Sequence, residues 1–117
     1  MITAPRLAAA RAMSEAELQQ HVRDLCAALR LSHYHPHYSR RSEPGWPDSV
    51  IIGARILFRE LKSEQGALSP AQRDVRDRLT RAGADWALWR PRDLYSGAIG
   101  NQLAAIADHP RLWEGAP

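Results

Sequence analysis

The sequence predicts an α/β domain in which a small mixed β-sheet is flanked by helices. Two segments begin with capping signals and continue with helical apolar spacing, and short apolar runs lie between and after them. The resulting order is helix, strand, hairpin, helix, strand, helix, which favours a mixed sheet with helices packed on it. A chain of 117 residues is long enough for one such core but not for two.

The first predicted helix follows residues 1–13, which we expect to form a flexible N-terminal arm. Ser14 and Glu17 have the spacing of a capping box, with Ser14 as N-cap and Glu17 at the third helical position. Leu18, Val22 and Leu29 continue the apolar spacing of one helix face to about Arg30.

Two adjacent strands are predicted in the centre of the chain. Residues 32–38 alternate His, Tyr and Pro and favour an irregular first strand, and residues 39–46 favour a loop. The short apolar run 49–52, the turn 53–55 and the strand 56–62 then form a β-hairpin.

The second half of the chain predicts a helix, a strand and a last helix. Ser69 is the expected N-cap, with Gln72 at the third helical position, and Gly83 is expected to end that helix. Residues 86–89 predict a fourth strand stopped by a proline, and residues 97–107 predict the last helix. The predicted domain spans 14–108, and residues 109–117 are expected to be a tail.

Composition restricts the class of protein. The net charge of +3 and the isoelectric point near 9.6 are compatible with nucleic acid but do not require it. Cys26 is the only cysteine, so the chain has no internal disulfide, and its place in the apolar stripe indicates a packing role. No run approaches the roughly 18 apolar residues of a membrane helix, so we expect no membrane and a reducing, cytoplasmic location.

Three charged residues near the hairpin suggest chemistry. Residues i and i+2 of a strand share a face, so Glu60 and Lys62 are expected on one side of the sheet, with Asp48 brought alongside by the turn. Two carboxylates and an ammonium suit a divalent cation and a water aimed at a phosphate, as in a nuclease. The alternative is an edge strand whose charged side faces water, where the Glu60–Lys62 pair contributes little.

The motifs around these residues give a more specific hypothesis. Glu15-Ala-Glu-Leu18-Gln19 opens a helix, Gly45-Trp-Pro47-Asp48 precedes the hairpin, Glu60-Leu-Lys62 lies in its second strand, and Leu68-Ser69-Pro70-Ala-Gln72 opens the next helix. In this order they resemble the virus-type replication-repair nuclease (VRR-NUC) family of the PD-(D/E)xK superfamily, over residues 14–92. Trp89-Arg90-Pro91 resembles the ending of its short, stand-alone phage-type members.

That resemblance implies a restriction-endonuclease-like (PD-(D/E)xK) core and a metal site. Asp48 and Glu60 would be the metal-binding carboxylates, and the backbone carbonyl of Leu61 would complete the inner shell. Lys62 would orient or help to deprotonate the attacking water. Mg²⁺, with Mn²⁺ as a substitute, fits such an all-oxygen site.

The family also has a glutamate on the first helix, and two candidates exist. At 100° per residue, Glu15 lies roughly 35° from the middle of the apolar stripe and Glu17 about 125°. Glu15 is therefore the expected catalytic carboxylate, bound to the metal directly or through water, and Glu17 the capping residue. Gln72 has two compatible roles, because it fits a capping box with Ser69 and the family places this amide near the site.

Other polar residues are expected to contact nucleic acid. Arg40 and Arg41, in the loop before the hairpin, are candidates for phosphate contacts, with solvated loop charge as the alternative. Tyr34 and His35 are expected to end the first strand beside the active site. Alternating histidines (His33, His35, His37) raise the hypothesis of a zinc site, which Pro36 disfavours because it interrupts the strand. Trp46 is expected to pack rather than to stack on a base.

The resemblance implies a metal-dependent DNA endonuclease acting on branched or junction DNA in replication or repair, in a bacterial or phage-infected cell. A domain this small has little surface for holding a junction, so a homodimer with two active sites is an expectation from size and family habit. Two alternatives belong to other classes of protein. One is a catalytically silent nucleic-acid-binding module on the same fold, and the other is a small interaction domain whose strand charges are incidental.

Overall fold

The fold is an α/β arrangement in which a four-stranded mixed sheet is flanked by helices, as the sequence predicts. The structure is a computed structural model that describes residues 2–36 and 44–107. The strands lie in the order β1-β2-β3-β4. The pairs β1–β2 and β2–β3 are antiparallel, and the pair β3–β4 is parallel. In chain order the elements are α1 (Ala4–Ala12), α2 (Glu15–Ala28), β1 (Ser32–Tyr34), β2 (Ser49–Ile52), β3 (Ile56–Leu61), α3 (Pro70–Arg81), β4 (Asp85–Trp89), α4 (Pro91–Tyr95) and α5 (Ala98–Ala107).

The antiparallel pairing of β2 and β3 confirms the predicted hairpin. Ser49 lies opposite Arg59 and Ile52 lies opposite Ile56, so residues 53–55 form the turn. The next pair beyond Ser49 and Arg59 brings Asp48 to the level of Glu60 on the neighbouring strand. β3 then pairs with β4 on its other side, which makes it a central strand of the sheet.

Both predicted capping boxes are present. The hydroxyl of Ser14 accepts from the N–H of Glu17 at 3.1 Å, and the Glu17 carboxylate accepts from the N–H of Ser14 at 3.1 Å. Ser69 and Gln72 make the same reciprocal pair at the start of α3. Gly83, with φ of +87°, follows the end of α3 in the left-handed conformation that glycine adopts without steric cost.

The prediction that residues 1–13 form a flexible arm is wrong, because α1 occupies Ala4–Ala12. Thr3 caps this helix by accepting from the N–H of Arg6, and alanines supply high helix propensity without an apolar stripe. Ala10 is fully buried, and α1 packs against α4. The ordered unit therefore includes a helix before residue 14.

The region after β4 also differs from the prediction in one element. Pro91 stops β4 as expected, but it also occupies the first turn of a short helix, α4, where a missing N–H has no cost. The predicted last helix is confirmed as α5, beginning at Ala98. The predicted tail, residues 109–117, lies outside the described residues.

The hydrophobic core lies between the sheet and the pair of helices α2 and α5. Cys26 is 1% exposed in this core, and burial raises the pKa of its thiol to about 11, in agreement with a packing role. No helix of the described residues has both the length and the apolar character needed to span a membrane. The buried core cluster consists of Met13, Leu18, Val22, Cys26, Ile51, Leu57, Leu61, Trp89, Ile99, Leu103 and Ile106.

The other face of the sheet carries Phe58, Glu60 and Lys62, which alternate with the core residues of β3. Helix α3 lies on this side, since its Gln72 reaches Glu60. Trp46 packs edge-to-face against Phe58, with ring centroids 6.0 Å apart. This contact agrees with the expectation that Trp46 packs, although 38% of the residue is exposed.

Candidate active site

The hairpin register brings the three charged residues to one place. One oxygen of the Asp48 carboxylate accepts from the N–H of Leu61 at 3.0 Å, which fixes Asp48 against the end of β3. The Lys62 ammonium lies 4.0 Å from the Glu60 carboxylate on the same face of the strand. The strand period of two and the short turn produce this convergence directly from the sequence.

Glu60 lies in the interior of the protein. Only 2% of the residue is exposed, and β3 has a neighbouring strand on each side. The alternative of an edge strand with its charges in water is therefore wrong. Burial, followed by the neighbouring Asp48 carboxylate, raises the pKa of Glu60 far above its ordinary value, and the Lys62 charge opposes this shift only in part.

The side-chain amide of Gln72 joins the start of α3 to Glu60. Its oxygen accepts from the N–H of Ser69 at 2.8 Å, which closes the capping box. Its nitrogen donates to Oε2 of Glu60 at 3.0 Å. The sequence left two possibilities for Gln72, a place in the capping box and a place near the site. The single Gln72 side chain does both, because its oxygen closes the capping box and its nitrogen contacts Glu60.

Gly45 allows the loop before Asp48 to lie directly on the start of α3. Its φ is +86°, and a Cβ atom built on it would lie 2.2 Å from the carbonyl oxygen of Ala71. Both the conformation and the space exclude a side chain. This close approach holds the segment that carries Asp48 against the helix that carries Gln72.

The structure distinguishes the two glutamates of α2. Glu15 is partly buried, and burial and the Asp48 carboxylate raise its pKa, whereas the charges of Lys62 and His35 lower it. Glu15 therefore lies within electrostatic reach of Asp48 and Lys62. Glu17 serves as the capping residue, and its hydrogen bonds with Ser14 lower its pKa.

β1 places two histidines beside the hairpin. The ring Nδ1 of His35 lies 2.6 Å from the carbonyl oxygen of Asp48, and because a carbonyl can only accept, this nitrogen carries the hydrogen. The Nε2 of His33 lies 2.9 Å from the hydroxyl of Ser49. Tyr34 ends β1 with its residue 59% exposed, on the opposite face of the strand.

Several candidate residues lie outside the described part of the chain. Arg40 and Arg41, expected at phosphates, and His37 of the zinc hypothesis belong to the segment 37–43. In the described ranges 2–36 and 44–107, no group of three His, Cys, Asp or Glu side chains is arranged to hold a metal ion. Of the zinc hypothesis, only His33 and His35 are placed, and each has one ring nitrogen in a hydrogen bond.

The residues at the hairpin nevertheless fit a hard divalent cation bound by carboxylates and a carbonyl. Oε1 of Glu60 is buried and has no hydrogen-bond partner among the described residues, a costly condition for a carboxylate unless a cation or proton meets it. The N–H of Leu61 points towards β2, and continuation of the register brings Pro47 opposite it. Because Pro47 has no N–H, the Leu61 carbonyl receives no donor from that residue and can serve as an oxygen ligand.

Two supporting contacts near the site have no local signal in the sequence. The Arg90 guanidinium donates to the carbonyls of Ser63, at 2.6 Å, and Gly66, at 2.7 Å. Arg92 pairs with the buried carboxylate of Glu64 at 2.7 Å. Both contacts hold the loop that follows Lys62, and both join residues more than twenty positions apart, so that no spacing rule predicts them.

No protein-family model, curated protein or solved structure matches this chain.

Proposed function

We propose that this protein is a magnesium-dependent endonuclease that hydrolyses phosphodiester bonds in DNA on a restriction-endonuclease-like core of the VRR-NUC type. The observation that carries the proposal is the buried Oε1 of Glu60, which has no partner among the described residues and lies beside Asp48. A buried carboxylate next to another carboxylate is costly unless a cation or a proton neutralises it. Asp48, Glu60 and the Leu61 carbonyl offer the oxygen donors that Mg²⁺ prefers, with Mn²⁺ as a substitute.

The residues around that site have separate roles in the proposed reaction. When bound, the metal supplies Lewis-acid activation of the scissile phosphate and of the attacking water. The Lys62 ammonium orients that water and stabilises the negative charge that develops on the phosphate. Asp48 is held for its role by the N–H of Leu61, and Glu60 by the amide of Gln72.

The presence of a lysine at position 62 supports its proposed role in orienting the attacking water. The chain has sixteen basic residues, and Lys62 is the only lysine among them. Its ammonium is a compact charge with three donors on a flexible stem, whereas a guanidinium is a planar fork. In a chain that otherwise uses arginine, the lysine lies next to the buried glutamate, with its side chain 17% exposed.

The remaining site residues extend the proposal. Glu15 faces the metal site from α2 and binds the metal directly or through water, and Gln72 positions Glu60. Arg40, Arg41, Tyr34 and His35 are the proposed contacts to the nucleic acid. A homodimer would present two such sites to the two strands of a branched or junction substrate.

Cleavage of DNA tests the proposed activity. We expect the purified protein to cut supercoiled, linear or four-way-junction DNA with Mg²⁺ or Mn²⁺, and EDTA to abolish the cutting. Asp48→Asn and Lys62→Met should each lower the rate by at least about a hundredfold, because each removes a group that acts on the reacting atoms. Arg81→Gln, an exposed charge change at the end of α3, is the matched control and should cut as the wild type does.

A catalytically silent nucleic-acid-binding module is the second candidate. It is favoured by the finding that the described residues contain no three metal-ligating side chains in a suitable arrangement. This candidate predicts DNA that is shifted in a gel but uncut under every metal condition. Metal-dependent cutting that Lys62→Met removes would exclude it. A chain that neither shifts nor cuts any of the DNA substrates would instead support an interaction domain.

A further inference from the structure

A second polar pocket lies next to the candidate active site, between α2 and β1. Its volume is about 360 Å³. Arg23 of α2 and the two histidines His33 and His35 supply its polar lining, and Cys26, Ala27 and Leu31 supply its apolar lining. Of the described residues proposed above for the site, His35, a proposed nucleic-acid contact, is the one that lines this pocket.

Among the described residues, the lining includes a permanent positive charge and no acidic side chain. Arg23 is permanently charged, and none of the six lining residues is a carboxylate. Arg23, His33 and His35 line the same pocket, and burial, followed by its two neighbours His35 and Arg23, lowers the pKa of His33. The carboxylate of Glu15 interacts with His35 but belongs to the candidate active site. A bound anion would be attracted by the permanent charge of Arg23.

Hydrogen bonds connect the pocket to the hairpin that carries Asp48. The Nδ1 of His35 donates to the carbonyl of Asp48, so that its Nε2 is left as the second polar atom of the ring. The ring of His33 contacts the hydroxyl of Ser49, which follows Asp48 in the chain. The imidazoles are therefore fixed in orientation one step away from a carboxylate of the proposed metal site.

We propose that this pocket binds a phosphate group of the DNA strand. The bound phosphate is the one next to the scissile phosphate on that strand. The Arg23 guanidinium donates to the phosphate oxygens, the rings of His33 and His35 line the pocket beside it, and the apolar lining of Ala27 and Leu31 contacts the adjoining sugar. Guanidinium groups bind phosphate oxygens in a fixed, two-pronged geometry, which suits a positioning contact to the strand. The assignment to a DNA strand rests on the proposed function, whereas the affinity for a phosphate diester does not.

Binding measured without metal tests this pocket separately from cleavage. In EDTA, we would titrate the full chain with a thymidine dinucleotide, with its analogue carrying a neutral methylphosphonate linkage, and with inorganic phosphate. The imidazole proton signals of His33 and His35 in the nuclear magnetic resonance spectrum report occupancy. We expect the charged dinucleotide to shift these signals and the neutral analogue to leave them in place.

Arg23→Gln removes the permanent charge from an exposed position of α2 and is not expected to disturb the fold. We expect it to weaken dinucleotide binding about tenfold, the loss of one charge-assisted contact. With a single-stranded oligonucleotide, the slope of log affinity against log salt should fall by about 0.7. Arg81→Gln removes the same charge about 14 Å along α3 from Gln72 and is the control that should bind as the wild type does.

Three outcomes would overturn the proposal. These are histidine signals that the dinucleotide does not move, a neutral analogue that binds equally well, and an Arg23→Gln variant with wild-type affinity. Binding of inorganic phosphate in preference to the dinucleotide would overturn the assignment to a strand and indicate a small phosphate ligand. If the dinucleotide binds in EDTA but plasmid DNA stays uncut with Mg²⁺ or Mn²⁺, the proposed nuclease activity is wrong and the proposed phosphate subsite still stands.

Discussion

Glu60 combines two properties that seldom occur together in a stable protein, deep burial and a carboxylate oxygen without a hydrogen-bond donor among the described residues. Gln72 and Lys62 meet the other oxygen, at 3.0 Å and 4.0 Å. The cost of this arrangement falls on the metal-free protein, since a bound cation would neutralise both Glu60 and the adjacent Asp48. We therefore expect the free energy of unfolding of the metal-free protein to depend on whether Glu60 is charged.

The metal-free protein should become less stable as the pH rises. Burial and the Asp48 carboxylate raise the pKa of Glu60 to about 9 from 4.5. Between these values the folded chain holds a proton that the unfolded chain has released, so the free energy of unfolding falls with increasing pH. The contribution of one such group is at most about 1.4 kcal/mol per pH unit.

Denaturant unfolding in EDTA at a series of pH values measures this dependence. Glu60→Gln is the matched control, because it keeps the shape of the side chain and removes its titration. The difference in unfolding free energy between wild type and variant should change steadily across the window from 4.5 to 9. Parallel curves for the two proteins would show that Glu60 does not titrate in this way.

For single residues, the sequence predicts which face of a strand or helix a side chain lies on better than it predicts the burial and hydrogen bonds of that side chain. The i, i+2 spacing predicts that Glu60 and Lys62 share a face, and helical geometry correctly selects Glu15 as the inward glutamate. The burial of Glu60 and its bond to Gln72 depend on strand order and on the approach of α3. These are tertiary features that the local pattern does not contain.

Among the elements, α3 has the most direct influence on the site. Its capping box fixes the side chain of Gln72, and the same amide then reaches Glu60. The loop at Gly45 lies against the main chain of Ala71 in the first turn of this helix. The start of α3 therefore supports both the segment before β2 that carries Asp48 and the strand β3 that carries Glu60.

Two substitutions in this capping box should separate stability from activity. Ser69→Ala and Gln72→Ala each remove one side of the box, and each should lower the free energy of unfolding by about 1 kcal/mol. Only Gln72→Ala also removes the donor to Glu60, so it alone should lower Mg²⁺ affinity and DNA cleavage, by about tenfold or more. Equal losses of activity in the two variants would mean that Gln72 acts only through the helix.

The elements themselves follow from the sequence to different degrees. The capped helices α2 and α3 and the hairpin were predictable because capping residues, apolar spacing and turn residues agree there. Helix α1 was missed because alanine gives helix propensity without the apolar spacing that marks a packed face. Helix α4 was missed because a proline after a strand indicates a stop as readily as the first turn of a helix.

On the scale of the whole molecule, the central position of β3 decides the interpretation of its charges. Neighbouring strands on both sides, the core helices α2 and α5 on one face, and α3 near the other enclose Glu60 in protein. The same three charges on an edge strand would be solvated and chemically silent. Strand order comes from long-range pairing, so the sequence leaves these two cases open and the fold distinguishes them.

The central claim is that Glu60 and Asp48 hold a divalent cation, and calorimetric titration with Mn²⁺ tests it most directly. The wild type should release or absorb heat with a stoichiometry of at least one ion per chain, and Glu60→Gln should bind at least about tenfold more weakly while unfolding cooperatively as the wild type does. Undiminished Mn²⁺ binding by the folded Glu60→Gln variant, or no binding by the wild type, would contradict the account.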